Sequence, residues 1–144
     1  MTKRDKSVST FRSGFNCAQA ILSTWAPELG VDEKTALRLA TGVGAGLSRM
    51  GETCGAVGGA ILLLGLKYGR DRLEAEEARE KTYALAQKFM SEFRRRNGSI
   101  RCKELLGFDI STPEGLQAIR EQGLEKTVCA NLVRDAAEIL ESLL

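Results

Sequence analysis

An all-α fold, a single-domain bundle of about six or seven helices, is what this sequence predicts, on three observations. Apolar residues recur at three- and four-residue helical spacing through most of the chain. The two-residue alternation of a half-buried strand is hard to find. No linker, repeat or low-complexity stretch divides the 144 residues, so residues 1–144 read as one domain, long enough to build a core without staples.

The first helix is expected over Lys6–Trp25, where Val8, Phe11, Phe15, Ala18, Leu22 and Trp25 form one apolar stripe, with Cys17 on its flank beside Ile21. Pro27 and Gly30 end it, and Asp32 caps a shorter helix through about Ala40. A glycine-rich loop, residues 42–51, leads into a helix from Glu52 to Tyr68 that carries Cys54 in its first turn. A long charged helix then spans Asp71–Arg96, with Ala78, Thr82, Leu85, Phe89 and Phe93 inward and Glu77 and Lys81 as a solvated i,i+4 pair. Arg94, Arg95 and Arg96 complement its C-terminal dipole, and Trp25 and Tyr83 read as core. After the Asn97-Gly98-Ser99 turn, Cys102 lies in a short helical turn with Leu105 and Leu106 that Gly107 stops. Pro113 suits the first position of a helix reaching Gln122. The last helix, Glu125–Leu143, places Cys129, Leu132, Val133, Ala136, Leu140 and Leu143 on one stripe, so Cys129 points inward.

Composition excludes several classes of function. The net charge of +2 gives no nucleic-acid signal. The longest apolar run, residues 60–66, is too short to cross a bilayer, so no membrane insertion is expected. The polar N-terminus leads into no apolar h-region, which predicts a cytoplasmic, reducing setting. With no histidine, neither a Ser-His-Asp nor a Cys-His catalytic group can exist.

The glycine loop imitates a phosphate loop at Gly46 and Gly51, but Glu52-Thr53 stands where Lys-Ser/Thr is required. No strand precedes it and the third glycine of a dinucleotide fingerprint is missing. Its role reads instead as delivering a helix start, where free amides and the helix dipole favour a Cys54 thiolate. Arg49 helps and Glu52 opposes that charge. Gly55, Ala56, Gly58, Gly59 and Ala60 leave one helix face almost bare, which allows another helix, a homodimer partner or a cofactor to approach closely.

Four isolated cysteines therefore carry the chemistry: Cys17, Cys54, Cys102 and Cys129, with 36, 47 and 26 residues between them. Each alone reads as a small core residue. Together, Gly14-Phe15-Asn16-Cys17-Ala18-Gln19-Ala20, Gly51-Glu52-Thr53-Cys54-Gly55-Ala56-Val57-Gly58-Gly59, Cys102 and Cys129 resemble the redox-active family named for its C, GCAxxG, C, C motif. The resemblance covers almost the full length, and it implies that the four cysteines converge on a redox or iron–sulfur site. Two expectations follow. In the first, an oxidoreductase-like thiol protein, Cys54 is the lead thiolate and Cys17 the favoured resolving residue, acting on a redox partner protein or a small oxidant. In the second, Cys17, Cys54, Cys102 and Cys129 hold an iron–sulfur cluster, less readily zinc, with Gly51, Gly55, Gly58 and Gly59 allowing close backbone approach. A helical interaction protein with merely structural cysteines stands last.

Overall fold

The chain folds into eight right-handed helices, in a computed structural model that describes residues 1–144: α1 (Lys3–Arg12), α2 (Cys17–Trp25), α3 (Glu33–Ala40), α4 (Gly55–Tyr68), α5 (Glu76–Asn97), α6 (Cys102–Leu106), α7 (Pro113–Glu121) and α8 (Ala130–Leu143). The fold is all-α, and its only β feature is an isolated antiparallel bridge between Thr53 and Arg101.

The helix expected over Lys6–Trp25 is two helices, which accounts for the count of eight. Gly14 takes φ +122 and breaks the chain. Asn16 then caps α2: its side chain accepts from the Gln19 amide, and the Gln19 side chain accepts from the Asn16 amide. The break exposes Phe15, which the periodic stripe places inward. Asn16 also donates to the Thr41 carbonyl at 2.9 Å, and Gln19 to the Leu37 carbonyl at 3.0 Å, so this cap ties α2 to the end of α3. Asn16→Ala is expected to cost about 1–2 kcal/mol, the upper range of a lost N-cap, read as a lower urea midpoint with unchanged slope.

Other signals act where the sequence puts them. Asp32 caps α3 through the Thr35 amide, and Thr112 caps α7 ahead of Pro113. Gly98 and Gly107 end α5 and α6 at positive φ. The charged helix starts five residues later than expected, at Glu76, because residues 71–75 form turns. Tyr83 is exposed rather than core, since it lies on the outer face of α5. Lys81 sits over the Tyr68 ring at 4.4 Å.

Helix α2 runs through the centre, packed on α1, α3, α4 and α8. Phe89 and Phe93, stacked at 6.0 Å, join Ile21, Leu63, Leu64 and Leu140 in the core. Each such fully buried side chain contributes about 1.5–3 kcal/mol. The bare face of α4 is used within the chain. A Cβ on Gly55 would stand 2.9 Å from Gly44 Cα and 3.1 Å from the Ala18 nitrogen, and one on Gly59 would stand 2.9 Å from the Ala18 carbonyl. A Cβ on Gly58 would meet Val43 at 2.6 Å. Of the close neighbours expected there, another helix, a second copy or a cofactor, the structure places a helix, α2, together with the loop before α4. Gly59→Ala pushes a methyl into backbone, so it is expected to destabilise by about 1–3 kcal/mol despite a helix-propensity gain of about 1 kcal/mol. Chemical denaturation reads that difference.

Candidate sulfur site

All four cysteines line one cavity of about 580 Å³. Three of them reach it from helix starts, for local reasons. Cys17 is the first residue of α2, behind the Asn16 cap. Cys54 is itself the N-cap residue of α4, because the helix starts at Gly55, three residues later than expected. Cys102 is the first residue of α6. Cys129 closes a π-helical turn, Glu125–Cys129, that runs into α8. Such π-turns cluster at functional sites because they displace one side chain out of register. The helix starts at α2 and α4 direct free amides and the positive dipole end toward this region.

The short bridge fixes two of the cysteines relative to each other. The Cys54 amide donates to the Ile100 carbonyl at 2.8 Å, and the Cys102 amide to the Glu52 carbonyl at 2.7 Å. Cys54 and Cys102 are therefore diagonal neighbours across this isolated bridge.

Within the glycine-rich loop, residues 45–49 form a left-handed helical turn. Ala45, Gly46, Leu47, Ser48 and Arg49 all have φ between +56 and +67. For an L-residue each such conformation costs about 1–2 kcal/mol, and strain of this kind persists only where the surroundings over-determine it. Here the Gly46 carbonyl accepts from the Glu52 amide at 2.9 Å, and the Ser48 hydroxyl donates to the Gly42 carbonyl at 2.7 Å. Gly46 lies against Cys102, and Arg49 reaches the cavity wall. Gly51, at φ +72, turns the chain into the bridge.

The four thiols differ in acidity. Burial pushes Cys54 up to about 12, although the Ala56 and Val57 amides work in the opposite direction. Burial also raises Cys102, to about 11, with Cys129 and Asp109 adding to the effect. Cys17 is raised well above an ordinary thiol, first because it donates its proton to Cys129. Cys129 is lowered because it accepts that hydrogen bond, against the opposing effects of burial and of Glu125. Each thiol raises or lowers its neighbours, so the four act as one electrostatic group. Cys17 and Cys129 are the two thiols whose acidities are tied most strongly to each other, and Cys129 is the one held below its ordinary range.

All four thiols are free and buried. They ring the cavity without gathering three donors tightly enough to hold a single metal ion. Thiolates are the donors that zinc and iron–sulfur groups share. Around the sulfurs, Phe11 and Phe15 form an apolar wall, and Arg12, Arg49, Lys126 and Glu125 supply the charges. Arg12, Lys126 and Glu125 escape a reading by motif. Only their positions give a hint: Lys126 precedes Cys129 by one helical turn, and Arg12 ends the helix before Cys17.

No curated protein and no solved structure matches the chain. A family described as "Putative redox-active protein (C_GCAxxG_C_C)" matches residues 15–143, a span that holds all four cysteines and the bare start of α4. The chain belongs to this C_GCAxxG_C_C family, and the general redox role in that description is its own.

Proposed function

We propose that the protein is a thiol-based redox protein whose working pair is Cys17 and Cys129, with Cys129 as the attacking thiolate. The observation that carries this reading is the single cavity that all four cysteines line, with Cys17 and Cys129 the two thiols whose acidities are tied most strongly to each other. A thiolate is the nucleophile in sulfur exchange, and a neighbouring thiol that already shares its proton is placed to resolve the intermediate. The lead role expected for Cys54 passes to Cys129 because burial keeps Cys54 protonated, while Cys17 keeps the resolving role.

Atoms and electrons balance in the exchange. The Cys129 thiolate attacks one sulfur of an oxidised disulfide, forming a mixed disulfide and expelling a thiolate. Cys17 loses its proton to that leaving group and attacks the Cys129 sulfur, expelling the second thiolate, which takes a proton from water. Two protein thiols are oxidised to one disulfide, and the substrate disulfide is reduced to two thiols. Cys54 and Cys102 remain thiols in this reading.

A second reading rests on the cavity that all four cysteines share. Cys17, Cys54, Cys102 and Cys129 would hold an iron–sulfur cluster, which when bound supplies one-electron transfer. The helix starts of α2 and α4 would offset its negative charge. Anaerobic purification with iron and thiol assays, followed by mild diamide oxidation and peptide mapping, separates the two. Colourless protein losing two thiols to a Cys17–Cys129 disulfide is the expected result. Stoichiometric iron with visible charge-transfer bands overturns it in favour of the cluster.

A further inference from the structure

The charges at the mouth of the sulfur cavity are lopsided. Arg12, Arg49 and Lys126 line it against a single acidic residue, Glu125. All three cations are exposed, and no salt bridge in the structure includes any of them. Only Lys3, Arg4, Arg79, Arg95, Arg96, Arg101 and Lys103 form salt bridges, so what sets the three cations apart is that they meet at one cavity. The cations at the cavity come from three separate segments. They are the end of α1, the left-handed turn and the π-helical turn before α8. Arg49 in particular is delivered from a backbone held at φ +67.

Size and burial narrow what these cations serve. A volume of about 580 Å³ lies within the roughly 300–1,000 Å³ of small-molecule sites. A peroxide molecule needs only a small part of that space. A disulfide on the surface of another folded protein needs an exposed attacking sulfur, yet every thiol here is at most 9% exposed. Phe11 and Phe15 add an apolar wall that suits an organic body.

We propose that the cavity is a substrate pocket for a small anionic organic disulfide, one bearing carboxylates that pair with Arg12, Arg49 and Lys126 while its sulfurs reach Cys129. The proposal rests on the thiol-exchange reading above and names its substrate class. Binding and turnover follow the balanced exchange already given: one carboxylate-bearing disulfide becomes two carboxylate-bearing thiols, and Cys17 and Cys129 become linked. Opposed charges at a cleft mouth concentrate such a ligand and speed its encounter, with a strong dependence on ionic strength.

The test uses the full chain, reduced with a phosphine and desalted without oxygen. Its oxidation by glutathione disulfide, by neutral bis(2-hydroxyethyl) disulfide and by cationic cystamine is followed by mass spectrometry. Each rate is divided by that of a free small thiol with the same probe. The anionic probe is expected to react about tenfold or more faster than the neutral one, and the cationic probe slowest. That ratio is expected to collapse toward one in Arg49→Gln/Lys126→Gln, and to shrink on raising salt to about 0.5 M. These exposed positions leave the core intact, which circular dichroism verifies. Equal rates for the three probes, with the Cys17–Cys129 disulfide still forming, overturn the anionic pocket and leave the thiol pair standing. No intramolecular disulfide with any probe overturns the pair itself.

Discussion

Replacing Cys129 with serine is expected to slow the first alkylation of the native protein by about 100-fold or more, with Cys54→Ser changing it far less. The reasoning is in the relative acidities. Cys102, at about 11, and Cys54, at about 12, are each thiolate in only about one molecule in a thousand to ten thousand near pH 8. Cys17 is raised well above the ordinary range as the donor to Cys129. Cys129 alone is lowered, so its thiolate is populated at a pH where the other three remain protonated. Alkylation follows thiolate fraction, hence a limiting dose of iodoacetamide should label one site. Cys17→Ala removes the hydrogen bond that lowers Cys129, so the alkylation profile of that variant should move to higher pH. Peptide mapping across pH checks all three variants. Labelling that begins at Cys54 would return the lead role to that residue.

Several parts of this site are legible in the amino-acid sequence. The spacing of Cys129, Leu132, Val133, Ala136 and Leu140 places Cys129 inward, and all five are buried. Asp32, Thr112 with Pro113, and Gly107 mark helix ends through local chemistry alone, because caps need only their own neighbouring amides. The break before α2 is hidden because Phe11, Phe15 and Ala18 keep helical spacing across it. The Asn16–Gln19 capping box is the signal that competes with that stripe and wins. The pairing of Cys17 with Cys129 has no local signature, since it depends on how α2 and α8 pack. The left-handed turn is equally hidden: no local preference puts alanine, leucine, serine and arginine at positive φ, so only contacts made by the finished fold can hold them there.

Those contacts converge on Gly46, and Gly46→Ala is expected to be the most destabilising single-methyl change near the site, at about 2–4 kcal/mol. Two costs combine. An alanine at φ +67 adds the left-handed penalty that glycine escapes. Its Cβ would also stand 2.7 Å from Cys102 Cβ and 2.9 Å from both the Glu52 nitrogen and Gly51 Cα, two of which are backbone atoms with no rotamer to yield. Gly98→Ala supplies the comparison: its φ is +86, but nothing lies within 4 Å, so only the conformational cost of about 1–2 kcal/mol remains. Leu47→Gly should act in the opposite direction. It relieves about 1–2 kcal/mol of left-handed strain at a glycine entropy cost of about 0.5–1 kcal/mol, and Leu47 is an exposed side chain with little packing to lose. Urea denaturation of the three variants, Gly46→Ala lowest and Leu47→Gly at or above wild type, would show that the turn is held against its own preference. The physical link to the chemistry is direct. The same turn carries Arg49 to the cavity and presses Gly46 on Cys102, so Gly46→Ala must shift either the cation or the thiol in order to fit.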